Sequence, residues 1–179
     1  MSSLRFPSKQ FLIGAPLLAA VALLAQQGVY QPKKEALPGP PVQQPIAYSH
    51  KAHIAAGLAC KNCHTMPGDG FAATYPKETL CMGCHQSIKT DSPEVQKLAK
   101  FAKAKEAVPW VRIYRVPDYV WFSHALHVKD AGIECSQCHG DVAQRDVLFK
   151  EKSISMASCM DCHARSQASN GCDVCHASQ

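Results

Sequence analysis

A fold of short helices and coil, ordered around covalently held groups instead of an apolar core, is predicted by three observations on this 179-residue chain. All ten cysteines fall into five Cys-x-x-Cys pairs, each followed at once by histidine: Cys60/Cys63/His64, Cys81/Cys84/His85, Cys135/Cys138/His139, Cys159/Cys162/His163 and Cys172/Cys175/His176. The four other histidines form two His-x-x-His pairs, His50/His53 and His124/His127, each upstream of such a motif and each preceded by an aromatic residue and serine. The best helical periodicity is confined to a single insertion between these two regions.

Cys-x-x-Cys-His is the attachment site of c-type haem, in which two thiols add to the two vinyl groups and the histidine ligates the iron. A zinc knuckle or a redox dithiol imitates one copy, and those are the alternatives, but neither needs histidine in the same register five times. Five covalently attached haem c groups are therefore expected, through Cys60, Cys63, Cys81, Cys84, Cys135, Cys138, Cys159, Cys162, Cys172 and Cys175. Thioether formation removes these thiols from disulfide chemistry. So many haems in so short a chain leave little room for a conventional core, and the porphyrins should supply most of the buried apolar surface. The formal charge of +5 omits ten propionates. The scattered basic residues thus give no basis for binding nucleic acid.

Along the chain, residues 1–30 read as a signal peptide or N-terminal membrane anchor. Arg5 and Lys9 precede the apolar run Phe11 to Ala25, which is shorter than the span of about 20 residues that a bilayer asks for. The cleavage signal is poor: Leu23-Leu24-Ala25 carries a large residue where a small one is wanted, and Ala20-Val21-Ala22 lies inside the apolar run. Extension to Tyr30, with Lys33 and Lys34 beyond, makes a marginal span. Both readings put the rest of the chain on the periplasmic side of the cytoplasmic membrane. Residues 31–45 hold five prolines and read as an extended tether. Residues 46–179 form the haem domain: repeat one (46–90) with motifs one and two, a helical insertion (91–118), and repeat two (119–179) with motifs three to five. Within the insertion, Ser92 is a good N-cap, Pro93 suits the first helical position, and Val95, Leu98, Ala99 and Ala102 recur on one face. The helix is expected from Ser92 to about Glu106, with Pro109 beyond it to end it. Its other face carries Lys97, Lys100, Lys103 and Lys105, which serve either as a solvated face or as a dock for an acidic partner. Trp110, Tyr114, Tyr119 and Trp121 are expected to pack on haem faces.

Nine histidines decide the iron chemistry. His64, His85, His139, His163 and His176 are the motif ligands, so His50, His53, His124 and His127 are available to close four sixth positions. At i and i+3 on one turn the two imidazoles of a pair can reach two different irons. His50 and His124 are expected to serve haems near their own repeats, while His53 and His127 reach across. The fifth iron then has no histidine. Met156 is the chosen substitute among Met66, Met82, Met156 and Met160, since a thioether is a soft, neutral ligand. A methionine packed on a porphyrin edge, or an open iron, are the alternatives. Closed irons make an electron carrier; an open one invites chemistry.

The aromatic-Ser-His-x-x-His stretch followed by Cys-x-x-Cys-His resembles the small multihaem cytochromes of the c3/c7 class, whose leading histidines ligate two different haems. "IKTDSPEVQKL", "VPWVRIYRVPDYVWFSHALHV", "CSQCHGDV" and "ISMASCMDCH" together look like the pentahaem cytochrome subunit of alternative complex III, a quinol-oxidising membrane complex. The resemblance covers about Pro45 to His163. It implies an anchored, periplasm-facing electron-transfer subunit of a respiratory complex, with other redox subunits or cytochromes as partners and no small-molecule substrate. A free periplasmic carrier and a multihaem reductase with one open haem are the other function classes. The departure is at the C-terminus, where "ARSQASNG" alone separates motif four from Cys172.

Overall fold

The computed structural model describes residues 35–176. The anchor-or-signal segment and the start of the tether lie outside the described residues. Within them there is no strand; short helices are joined by coil, as the sequence predicts. The helices are α1 (His50–Ala55), α2 (Cys60–Cys63), α3 (Glu78–His85), α4 (Pro93–Ala104), α5 (Cys135–His139), α6 (Met156–Arg165) and α7 (Cys172–Cys175). A π-helical turn, Ala125–Asp130, and a 3₁₀ turn, Val142–Gln144, complete the set.

Both cysteines of every motif lie on a helical turn. Residues three apart share a helix face, so the turn turns both thiols the same way. In α1 the Ser49 hydroxyl accepts from the Ala52 amide at 3.0 Å, and at the π-helical turn the Ser123 hydroxyl accepts from the Leu126 amide at 3.3 Å. The serine written before each His-x-x-His pair thus caps the turn that displays it.

The longest helix, α4, starts behind Ser92 with Pro93 in its first turn, and the Ser92 side chain makes no capping bond. It ends at Ala104, well before Pro109. Lys105 takes a left-handed conformation, φ 57°, its amide reaching Ala102 O while the Glu106 amide reaches Phe101 O. That pair of bonds is a Schellman stop, which closes the helix before the proline is reached. Val95 and Leu98 are buried, and α4 packs on the motif-two helix α3. Ile46, Leu98 and Val108 form a small cluster with Cys81, Met82, Phe101 and Trp110 against it. Lys97 pairs with Glu94 at 2.6 Å, while Lys100, Lys103 and Lys105 are exposed.

The end of the proline-rich stretch is extended but lies along the domain. Gly39 N donates to Lys150 O at 2.7 Å and Val42 N to Leu148 O at 2.9 Å, and the Gln44 amide side chain exchanges two 2.9 Å bonds with Val111.

Candidate haem-binding sites

Four pairs of imidazoles face each other. His50 stands 6.4 Å from His64, His53 6.1 Å from His85, His124 6.5 Å from His139 and His127 6.1 Å from His163, all measured between ring centroids. A metal–nitrogen bond of about 2.0 Å on each side, added to roughly 1.1 Å from each Nε2 to its ring centre, puts two imidazoles on one metal about 6.2 Å apart. All four pairs match that spacing. The ring planes of His50 and His64 are nearly parallel at 8°, as are those of His124 and His139 at 11°; the other two pairs are turned by 64° and 33°.

Each pair joins one motif histidine to one upstream histidine, so the His-x-x-His spacing serves two sites at once. His53 and His127 differ from the expectation in one respect: each meets the second motif of its own repeat and does not cross to the other. The reason is the rotation between i and i+3, which is enough to aim neighbouring rings at neighbouring motifs.

Backbone carbonyls set the tautomers. His53 Nδ1 contacts Ser49 O at 2.7 Å, His64 Thr74 O at 2.8 Å, His85 Ile88 O at 3.1 Å, His124 Phe71 O at 2.9 Å, His127 Ser123 O at 2.8 Å, His163 Ser169 O at 2.7 Å and His176 Tyr119 O at 3.2 Å. A carbonyl can only accept, so Nδ1 carries the proton and Nε2 keeps a free lone pair. This is the arrangement that orients a ligating histidine. His50 and His139 lack such a bond. The His50 Nδ1 is buried without a partner, and burial, then His64 and His53, push its pKa down to about 4. His139 is lowered by burial, then by His124 and His64. Burial thus disfavours the charged form of both rings, and the neutral form is the one that ligates.

The aromatic residue in each repeat has a role that the sequence reading missed. Tyr48 stacks on His53 at 4.3 Å and meets His50 edge-on at 4.8 Å; Phe122 stacks on His127 at 4.5 Å and meets His124 edge-on at 4.9 Å. One ring therefore fixes the orientation of both imidazoles. The signal was present as the repeated aromatic-Ser-His, but a single sequence does not say what the aromatic ring touches.

Of the aromatics expected on haem faces, Trp110 and Tyr114 have other partners. Trp110 packs on the small core, and the Tyr114 hydroxyl donates to His139 O at 3.2 Å while accepting from the Glu151 and Lys152 amides. Tyr119 and Trp121 are 71 % and 62 % exposed.

The fifth motif differs. His176 has Tyr119 beside it at 6.0 Å, but that ring belongs to the residue whose carbonyl holds the His176 Nδ1. It is therefore a support on the Nδ1 side. Met156 opens α6 and is 65 % exposed.

Among the described residues no cysteine is joined in a disulfide. Burial raises the pKa of Cys63, Cys81, Cys135, Cys138 and Cys159, and each is raised further by a neighbouring cysteine. Among the described residues, no group of three or more His, Cys, Asp or Glu converges as a closed metal cage would require. The donors are instead opposed imidazole pairs beside paired thiols, with apolar Phe71, Tyr75, Leu80, Leu126 and Trp121 standing exposed. A flat, apolar, thioether-linked macrocycle with axial nitrogens fits this donor set.

The comparisons agree. Residues 25–108 match the class III cytochrome C family, and residues 120–177 match cytochrome c7 and related cytochrome c. The chain is 34 % identical, over an alignment of 161 residues, to the multiheme cytochrome c subunit of menaquinone reductase from Nitratidesulfovibrio vulgaris; the alignment covers 75 % of this chain and 77 % of the relative. Motif chemistry, opposed histidines and sequence similarity thus converge, and the chain belongs to the class III and c7 family of multihaem c-type cytochromes, whose role is electron transfer.

Proposed function

We propose that this chain carries five haem c groups and relays electrons one at a time as the cytochrome subunit of a quinone-linked membrane complex, on the periplasmic side. The observation that carries the reading is the set of four opposed histidine pairs at 6.1–6.5 Å. Bound haem supplies the one-electron iron couple. The chain binds it through the ten cysteines, with His64, His85, His139, His163 and His176 as first ligands and His50, His53, His124 and His127 as second ligands of the first four. With a nitrogen from each side, those four groups would have no open position, which suits transfer of electrons over substrate chemistry. The carbonyl bonds on seven of the nine rings would hold those rings in place.

Complex membership is supported by the relative, a menaquinone reductase subunit, and by the resemblance to the quinol-oxidising complex. The relative favours electron delivery towards quinone. An N-terminal anchor would keep the subunit at the membrane.

Intact mass of the mature holoprotein tests count and anchor together. Five haem adducts on a chain retaining its first 25 residues are expected, and a truncated N-terminus would replace the anchored subunit by a free carrier. Solubilised membranes should yield the protein with other redox subunits; recovery of the lone cytochrome would remove the complex from the reading. For the fifth iron, Met156→Ala followed by a redox titration should lower the highest-potential step, and an unchanged titration would show that Met156 is not a ligand.

A further inference from the structure

We propose that the five haem-binding motifs lie in the spatial order two, one, three, four, five, so that motif one is interior to the relay and motifs two and five are its ends. This deepens the five-haem reading and rests on it. Chain order would suggest a path through one, two and three; the hydrogen bonds between repeats suggest otherwise.

Motifs one and two are neighbours because α1 serves both: His50 faces His64 and His53 faces His85. The second His-x-x-His pair joins motifs three and four in the same way. The link between these two couples is reciprocal. Gly70 lies six residues past His64, and its carbonyl accepts from the amide of Ala125, the residue after His124, at 2.9 Å. Arg145 lies six residues past His139, and its carbonyl accepts from the amide of Lys51, the residue after His50, at 3.1 Å. Each loop beyond a repeat's first motif histidine therefore cradles the opposite histidine of the other repeat's first motif.

Further bonds tighten the same contact. Phe71 O accepts from both the His124 amide and its ring, and three residues on, Thr74 O holds His64. The Ser49 hydroxyl donates to Asp146 at 2.6 Å, and α1 packs on the 3₁₀ turn Val142–Gln144. Gly70 has φ 73°, and an added Cβ would run into that of Ala125, so backbone meets backbone here. No matching bond joins motif two to the second repeat among the described residues; its helix instead packs on α4.

At the other end only eight residues separate His163 from Cys172. Within them Ser169 O holds the His163 ring and the Asn170 side chain donates to Met160 O at 3.0 Å. Motif five also docks on the segment that leads to the second histidine pair, through Trp121 N to Cys175 O at 2.7 Å.

The test is proton NMR of the wild-type holoprotein, fully reduced, with carbon monoxide added if the fifth iron takes it up. Each haem is assigned through contacts between its thioether methyls and its own motif residues, so no variant is needed. Interhaem NOEs are expected for two–one, one–three, three–four and four–five. A two–three NOE without a one–three NOE would overturn the order, as would a missing four–five contact for the C-terminal end. Gly70→Ala should weaken the one–three contact while sparing one–two and three–four. Intact mass of the same sample separates the two readings: fewer than five haems defeats the count, and the order then stands or falls on contacts among those present.

Discussion

The two His-x-x-His segments share a sequence pattern but not a backbone. The first is an α-helix, His50–Ala55, and the second a π-helical turn, Ala125–Asp130. Even so, His50 and His124 meet His64 and His139 in the same near-parallel arrangement, 6.4 and 6.5 Å apart. The shared geometry comes from the capping serine and the aromatic wedge, present in both. The difference lies in anchoring: His124 is tied through Nδ1 to Phe71 O at 2.9 Å, whereas the His50 Nδ1 is buried without a partner. Equivalent histidine positions can thus be held with unequal rigidity, the looser one relying on packing alone.

Removing each ligand should break that comparison most sharply. His50→Ala and His124→Ala should each convert one low-spin haem to a form that takes up carbon monoxide, counted by visible spectroscopy. His124→Ala should also cost about 1 kcal/mol more in chemical denaturation, because it loses an additional hydrogen bond. Equal costs would mean that the Phe71 anchor adds nothing.

Next in size is the crossing point. Gly70→Ala must accommodate both φ 73° and the Ala125 Cβ, and should destabilise the holoprotein by about 1–3 kcal/mol. Arg145→Ala at the matching position keeps its carbonyl bond to Lys51 and loses the 2.7 Å pair with Glu151. Its effect should be smaller, as read from denaturation midpoints.

The acid limb separates the repeats in another way. In repeat two, the hydrogen bond from Arg145 and then the Asp141 amide hold the Glu151 carboxyl below its usual range. A depressed folded pKa stabilises above the unfolded value and is lost as pH falls through the folded one. Glu151→Gln should therefore reduce thermal stability at neutral pH and leave it nearly unchanged in acid. Parallel stability–pH curves for the two proteins would rule the pair out as a contributor.

The smallest change should be Tyr48→Phe, which gives repeat one the aromatic ring of repeat two. Burial pushes this phenol up to about 12, so it is uncharged at any working pH. The ring, which does the stacking, is retained. A shift within about 0.5 kcal/mol is expected; a larger one would assign the hydroxyl a role that Phe122 cannot share.

By itself the sequence determined the cofactor chemistry, because five Cys-x-x-Cys-His motifs and four further histidines restrict the donor set almost completely. It also determined the class of fold, since so many attachment motifs leave a chain of this length little apolar core to build, and it marked α4 through the spacing of Val95, Leu98 and Ala102. Tertiary structure decided what depends on the direction of a ring or the path of a loop. Which motif His53 and His127 face follows from the turn of a helix, and α4 stops at Lys105 because its end carbonyls find local amides before Pro109 is reached. The Gly70–Ala125 and Lys51–Arg145 bonds join residues far apart in the chain, so no local pattern could announce them. Hydrogen bonds between distant backbones leave little trace in side-chain identity, and for that reason they had to be seen in the fold.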